Sequence, residues 1–236
     1  MSHPRPLHVL AAAALAAAAA LAPAGHAAAQ DLPTTEQLKA ALLTAADLGP
    51  GYTEIPSTES PSPGENPSPV SGCDALSNLI NQHAGEPSPA TPHVEVELDG
   101  QDGNPMVTES LTAEDQAKLT ADFNTASDAF KSCHSLTFNA GTTDAVTFTV
   151  TPIVLGDRPD APAVRLDGTI AGVPLNAYIG LERFGTVGMA YGFFQREAGS
   201  SQLASMQYRT AVAKVERTLG TTAGSTTPPT GPAASV

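Results

Sequence analysis

The chain has 236 residues, and its 24 aspartates and glutamates outnumber its 11 lysines and arginines, which gives a net charge of −13 at pH 7. An acidic chain with no basic patch repels phosphate groups, so the composition argues against nucleic-acid binding and against docking on anionic lipid headgroups. Tryptophan is absent and only two cysteines occur.

The N-terminal segment 1–29 has the layout of a secretory signal peptide. Arg5 supplies a short basic region, residues 9–22 form an unbroken apolar run, and Pro23 ends it before a small-residue site near Ala29. The run is shorter than the roughly 20 apolar residues of a spanning helix, and no lipid-attachment cysteine lies near the site. We therefore expect a secreted, extracellular protein that is released without stable membrane insertion. About 200 residues remain, enough for one domain.

The first elements of the mature chain are predicted to be helices separated by a loop. Residues 34–48 have helical periodicity, and Thr34 and Gln37 have the spacing of a capping box. Residues 57–70 are rich in serine and proline and are typical of an extended surface loop. A short helix is predicted to follow at 73–84.

A β-hairpin and a long helix are predicted next. Apolar residues alternate with glutamates over 94–98, and an Asp-Gly-Asn-Pro turn leads into a second arm over 106–110. The long helix covers 112–133, with Thr112 and Asp115 framing its start. Its apolar stripe consists of Leu119, Phe123, Ala126 and Phe130.

The second half of the chain is predicted to be mostly β structure. Four strand-like segments follow one another and are parted by glycine and proline, at 145–153, 162–170, 174–185 and 186–195. A final helix covers 200–220. Its inward positions are predicted to be Leu203, Met206, Val212, Val215 and Leu219. Residues 220–236 lack core-forming side chains and are predicted to be a disordered tail, which leaves a single domain at 30–219.

Strands that follow one another, rather than alternating with helices, indicate an antiparallel sheet. The predicted fold class is therefore α+β. We expect about five or six strands, with the helices packed mainly on one face and one disulfide.

The two cysteines, Cys73 and Cys133, favour a disulfide, because an exported chain with an even cysteine count meets an oxidising compartment. Two alternatives remain open at this point. Cys133 could be a nucleophile beside His134, although a helix C-terminus disfavours a thiolate. The cysteines could also bind a metal with nearby histidines, although no ligand spacing supports this. The histidines concerned are His83, His93 and His134.

No other segment predicts catalytic chemistry. The chain has no G-x-S-x-G elbow and no glycine-rich phosphate loop. Glu114 and Asp115 suit the first turn of a helix because of its dipole. The loop containing Asp157, Arg158 and Asp160 is either a self-paired turn or a ligand-contacting loop, and Asp157 and Arg158 are the predicted ligand-binding residues. We predict no catalytic residue, no metal and no cofactor.

Several segments together resemble a family of actinobacterial secreted proteins and lipoproteins that is similar to the extracellular sensor domain of the Ser/Thr kinase PknH. They are LKAALLTAADLGPGYTE, GCDAL, DAFKSCHSL, VLGDRPDAPAVRL and YIGLERFGTVGMAY, spread over most of residues 34–219. The resemblance implies a mixed α/β fold around a cleft for an extracellular ligand. It also implies the pairing of Cys73 with Cys133, although the family's sensor domain has two disulfides and this chain has cysteines for one.

We therefore expect a secreted, non-enzymatic, monomeric module that captures a small or cell-envelope ligand in a cleft. The first alternative is a protein–protein interaction module without a small-molecule site. The second is an unrecognised secreted hydrolase.

Overall fold

The computed structural model describes residues 32–56, 70–83, 91–139, 145–197, 199–227 and 229. The predicted signal peptide, all but the last residue of the loop predicted at 57–70, and the end of the predicted tail lie outside these ranges. None of the described helices is long and apolar enough to cross a membrane.

The described ranges contain five α-helices and nine strands. The helices are α1 (Thr35–Ala41), α2 (Ala45–Leu48), α3 (Asp74–His83), α4 (Gln116–Ser132) and α5 (Ser201–Leu219). The strands are β1 (Thr53–Ile55), β2 (Val70–Ser71), β3 (His93–Asp99), β4 (Met106–Ala113), β5 (Ser135–Asn139), β6 (Ala145–Pro152), β7 (Ala163–Ile170), β8 (Val173–Phe184) and β9 (Val187–Arg196). All nine strands form one sheet in the order β1-β3-β4-β9-β8-β7-β6-β5-β2, and every neighbouring pair is antiparallel.

The antiparallel sheet predicted from the sequence is confirmed, but the expected five or six strands are too few. The three additional strands are β1, β2 and β5, which contain three, two and five residues. Strands β1 and β2 are too short to show an alternation, whereas β5 does alternate Leu136 and Phe138 with polar residues. Strand β5 forms by pairing with β6, and β1 and β2 form by pairing with the outer sides of β3 and β5.

Helices cover both faces of the sheet, so the prediction that they lie mainly on one face is wrong. Neighbouring residues of a strand point to opposite faces. Tyr178 of β8 belongs to a core cluster with α1 and α5, whereas Ile179 belongs to a cluster with α3 and α4. We call these the first and the second face. The central strands β4 and β9 are buried on both faces. The sequence of β9 accordingly lacks a polar side, whereas β4 buries Thr108, Ser110 and Thr112 on one of its faces.

Tyrosine side chains are concentrated on the first face. Tyr178 and Phe193 contact edge to face with ring centroids 5.9 Å apart, and Tyr191 contacts Tyr208 of α5 in the same way at 5.4 Å. Tyr52 packs against the same cluster. The first face is therefore held together largely by tyrosine rings between the sheet and α5.

The helix predicted over residues 34–48 is two helices, α1 and α2, because the chain breaks at the residues between them. Thr34 and Gln37 do form the predicted capping box. The Leu43 amide, however, donates to the Glu109 side chain of β4 at 2.6 Å instead of to the preceding helical turn. Thr44 then begins α2 and bonds to Asp47, which starts a second capping box.

The long helix α4 begins later than its sequence suggested. Asp115 is its N-cap and accepts hydrogen bonds from the amides of Ala117 and Lys118 at 2.9 and 3.3 Å, whereas Thr112 belongs to β4. The predicted stripe is buried at three of its four positions. The fourth, Phe123, is half-buried, and the Arg183 guanidinium lies 5.7 Å from its ring centroid.

Helix α5 is confirmed, but one of its predicted inward positions is wrong. Met206 is 49% exposed, whereas its neighbours Gln207 and Tyr208 are buried against the sheet. In the first half of α5 the buried apolar residues are Ala204, Tyr208 and Ala211, so the large aliphatic side chain of Met206 indicated the wrong position there. The buried residues of the helix include Ala204, Tyr208, Ala211, Val212, Val215 and Leu219.

The ordered chain continues past α5 into the segment predicted as a tail. The Gly185 amide donates to the Ser225 carbonyl at 2.9 Å, and the Gly224 amide donates to the Arg183 carbonyl at 2.7 Å. Ala223 is buried in the first-face cluster. Residues 221–227 therefore cover the turn between β8 and β9.

Candidate functional site

A polar pocket lies at one end of the sheet, where three connections meet. These are the turn between β3 and β4, the turn between β7 and β8, and the end of β9. The cavity has a volume of about 400 Å³. Its lining residues are Gln101, Asp102, Asn104, Val173, Arg196 and Glu197.

The β3–β4 turn forms one wall of the pocket. It contains a single 3-10 turn at Gln101–Gly103. A hydrogen bond of 2.7 Å from the Gly100 amide to the Pro105 carbonyl joins the two ends of the turn. Asp102 has a φ of 56°, in the left-handed region, which aspartate tolerates better than most residues. Glu197 on the opposite wall has a φ of 71°. Such backbone conformations cluster at functional sites, so two in one pocket make it a candidate.

Arg196 joins the two walls of the pocket. Its Nη2 atom donates to the carbonyl oxygens of Asp102 and Gly103 at 3.0 and 3.4 Å. Its backbone amide donates to the Oδ1 atom of Asn104 at 3.0 Å. A guanidinium carries five N–H donors in a fixed plane, so these contacts hold a directional hydrogen-bond donor at the mouth of the cavity.

The lining of the pocket suits a small polar ligand. The Arg196 guanidinium can bind a carboxylate or hydroxyl oxygen, and the carboxylates of Asp102 and Glu197 can accept from hydroxyl or ammonium groups. The amides of Gln101 and Asn104 can do both. With one positive and two negative groups, the pocket favours a neutral or zwitterionic molecule over a strongly anionic one.

The predicted ligand residues Asp157 and Arg158 lie at the other end of β7 from this pocket. Eight strand residues at about 3.3 Å each separate the two ends by roughly 25 Å. Arg158 Nε binds Glu182 Oε2 at 2.8 Å, and Asp157 Oδ2 accepts from Arg209 at 2.7 Å. The backbone of the loop is thus paired to itself, with the Arg158 amide donating to the Leu155 carbonyl at 3.2 Å, whereas its charged side chains are paired to β8 and α5. Its role as a ligand contact stays a prediction.

The two cysteines form the predicted disulfide. Cys73 and Cys133 are bonded to each other, with their Cα atoms 5.7 Å apart. Because Cys133 carries no thiolate in this state, it is not a nucleophile for His134, which is exposed at the exit of α4. His93 is instead placed by its own strand pair and bonds Thr112 Oγ1 at 2.8 Å.

Glu114 lies in an ion-pair cluster at the start of α4. Its carboxylate binds the Lys118 ammonium, which also binds Asp122 at 2.7 Å. Burial raises the pKa of Glu114, and the hydrogen bond from Lys118 opposes that rise. In the described ranges, no group of three or more histidine, cysteine, aspartate or glutamate residues is arranged to hold a metal ion.

The pocket residues were not selected from the sequence, where the Asp-Gly-Asn-Pro segment at 102–105 was interpreted only as a hairpin turn. Their role depends on three connections meeting at one end of the sheet, which single-segment patterns do not contain. The one available signal was the concentration of polar side chains in that turn together with Arg196 at the end of a strand.

Comparisons with known proteins support the fold. Neither a family model nor a curated protein matches the sequence. The structure is similar to the crystal structure of the extracellular domain of PknH from Mycobacterium tuberculosis, with a TM-score of 0.55 and 16% sequence identity. The similarity covers 82% of this chain and 98% of that domain. The fold resemblance predicted from the sequence is thereby confirmed.

Proposed function

We propose that this chain is a secreted, non-enzymatic binding module that captures a small polar ligand, such as a cell-envelope fragment, in the pocket around Arg196. The predicted signal peptide, the disulfide and the fold shared with an extracellular domain support an extracellular site of action. The module is sensor-like in architecture, and its ligand is recognised by hydrogen bonds rather than by an apolar cavity.

The observation that carries this proposal is the anchoring of Arg196. A surface arginine normally samples many rotamers, and ordering it costs free energy. Here two carbonyl oxygens of the β3–β4 turn hold the guanidinium in place. A ligand would meet a donor that is already oriented, which lowers the entropic cost of binding.

Ligand-induced thermal stabilisation tests the proposal. The chain is titrated with N-acetylglucosamine, muramyl dipeptide and glucuronate, which carry the hydroxyl, amide and carboxylate groups that the lining can bind. A ligand at ten times its Kd stabilises the native state by about 1.4 kcal/mol. For a domain of this size that raises Tm by roughly 3–6 °C.

Two variants show whether such a shift comes from the pocket. R196A should abolish the shift, and R217A, which removes an exposed arginine at the end of α5, should keep it. Shifts that survive in R196A would place the ligand elsewhere. If none of the probes nor any envelope extract shifts Tm, while the chain holds a protein partner through a flat surface, the interaction-module alternative replaces this proposal.

A further inference from the structure

Glu109 is a carboxylic acid in the interior of the first face. Alternation along β4 places it between Val107 and Leu111, and the cross-strand register sets it opposite Tyr191 of β9 and Val96 of β3. Its exposed fraction is 0%. The pocket around Arg196 makes no use of this group.

The carboxyl group is short of hydrogen-bond partners. Oε2 accepts the Leu43 amide at 2.6 Å, from the junction between α1 and α2. Oε1 is buried and has no partner in the described part of the chain. An ionised carboxylate has about four lone-pair sites to satisfy, so one hydrogen bond stabilises it poorly, whereas a neutral acid tolerates this environment.

The charges around Glu109 do not neutralise it. The cation that acts on Glu109 is Lys214 of α5, and its Nζ atom is bound to Asp47 of α2 at 2.5 Å, so the pair has no net charge. Burial raises the pKa of Glu109 to about 8, and the Leu43 amide lowers it in part.

The other ionisable groups near Glu109 are phenols or lie at the surface. The phenol-bearing Tyr191 lies opposite Glu109 in the strand register, and Tyr52 and Tyr208 lie close to Tyr191. On α1, Glu36 and Lys39 form an exposed ion pair with each other. No further cation on the described elements is positioned to replace Lys214.

Glu109 also lies beneath segment 32–48, whose two helices α1 and α2 contain only seven and four residues. Segment 32–48 contributes α1 and α2 to the first face through apolar residues such as Leu38 and Ala41. Within the described part of the chain, its polar links to the rest of the fold are the Leu43–Glu109 hydrogen bond and the Asp47–Lys214 ion pair. Short peripheral elements held by few contacts open at lower free energy than the central sheet.

We propose that Glu109 is a proton-binding site that controls the docking of segment 32–48 on the sheet. With its proton bound, the acid is neutral and the segment is closed. When the proton passes to solvent, a buried carboxylate is left with one hydrogen bond and no free cation. Opening of the junction at Leu43 admits water to that carboxylate, so the segment separates more often as the pH rises. This device is independent of the proposed ligand pocket.

A carboxyl 13C titration of the full chain tests the site directly and requires no variant. The Glu109 Cδ resonance, assigned by its loss in E109Q, should titrate with a midpoint between pH 7 and 9. A midpoint below pH 6 would overturn the proposal, because the carboxylate would then be stable in the closed state.

Amide hydrogen exchange tests the motion. The pKa of Glu109 is about 8 when segment 32–48 is docked and about 4.5 when the carboxyl group is exposed to water. Opening of the segment should therefore become about a hundredfold more frequent between pH 6 and pH 9. The protection factor of the Leu43 amide should fall by that factor in the wild type and in E54Q, a control at an exposed glutamate of β1. In E109Q it should stay constant.

Two results would contradict the motion. One is an equal loss of protection in E109Q and in the wild type, since the titrating group would then be another residue. The other is a Leu43 amide whose free energy of opening equals that of the β8 amides at every pH, since the Leu43 amide would then exchange only through global unfolding.

Discussion

Removing the disulfide should cost the domain a large part of its stability. Cys73 directly precedes α3, and Cys133 caps the end of α4, so the bond ties together the two helices of the second face. The bonded residues are 60 positions apart. In the chain-entropy model, closing a loop of that length in the unfolded state contributes about 4 kcal/mol. Typical domains have a total of only 5–15 kcal/mol.

The perturbation is the double variant C73A/C133A, which removes the bond and leaves small apolar side chains. Cys133 is 2% exposed and packs in the second-face cluster, so the lost sulfur contacts add to the entropic term. Urea denaturation followed by circular dichroism should give a free energy of unfolding about 4 kcal/mol or more below that of the oxidised wild type. The wild type under reducing conditions is the matched control and should behave like the variant.

A difference below about 1 kcal/mol would refute this reasoning, because the unfolded chain would then gain little freedom when the bond is absent. Mass spectrometry of the exported protein supplies a second check. Two free thiols in that protein would show that the bond does not form in the cell.

Three further predictions concern single side chains. G156A should lower the free energy of unfolding by about 2–4 kcal/mol in urea denaturation, because φ at Gly156 is +62° and the new Cβ would lie 2.4 Å from the Tyr208 ring. The control G172A has a φ of +83° but no atom within 4 Å of the new Cβ, so it should cost only about 1 kcal/mol. Between pH 4.5 and 8 the unfolded state releases the Glu109 proton and the folded state retains it, so the stability of the wild type should fall by at most about 5 kcal/mol as pH rises. E109Q should lose this pH dependence, and parallel pH profiles of the urea midpoint in the two proteins would contradict the prediction. R158A should lower the free energy of unfolding by about 2 kcal/mol, because Glu182 of β8, which is 2% exposed, would lose the cation that it binds. The cost should be smaller than for a fully buried pair, since Arg158 is 33% exposed. Unchanged stability with lost ligand binding would instead favour the predicted ligand role of Arg158.

The sequence predicted the elements that have a long, one-sided pattern. The hairpin of β3 and β4, helices α4 and α5, and strands β6 to β9 all occur in the segments that their periodicity indicated, although α4 begins four residues later and β4 extends three residues further than predicted. Strands β1 and β2 were missed because their pairing comes from neighbours distant in sequence, and a two-residue strand such as Val70–Ser71 has no period of its own. The break at Leu43 was missed for a similar reason, since a side chain 66 residues away takes its amide.

The candidate sites were predictable to different degrees. Glu109 stands in alternation with Val107 and Leu111, so the pattern of β4 already placed a carboxyl group on an apolar face. The pocket around Arg196 had no comparable signal, because its walls come from three separate connections. Arg158 looked available in the sequence, but the fold supplies it with Glu182 from another strand. Loop residues that look free can be paired once the strands are assembled.

The uneven distribution of tyrosines gives the two faces of the sheet different ultraviolet fluorescence. The chain has no tryptophan and four tyrosines, and all four lie in or against the first-face cluster: Tyr52, Tyr178, Tyr191 and Tyr208. Intrinsic ultraviolet fluorescence therefore reports on one side of the molecule only. A change in tyrosine emission would signal rearrangement beneath α1 and α5, while separation of α3 from α4 would leave the spectrum almost unchanged. The protein thus carries a built-in, label-free probe of the face that we infer to respond to protons.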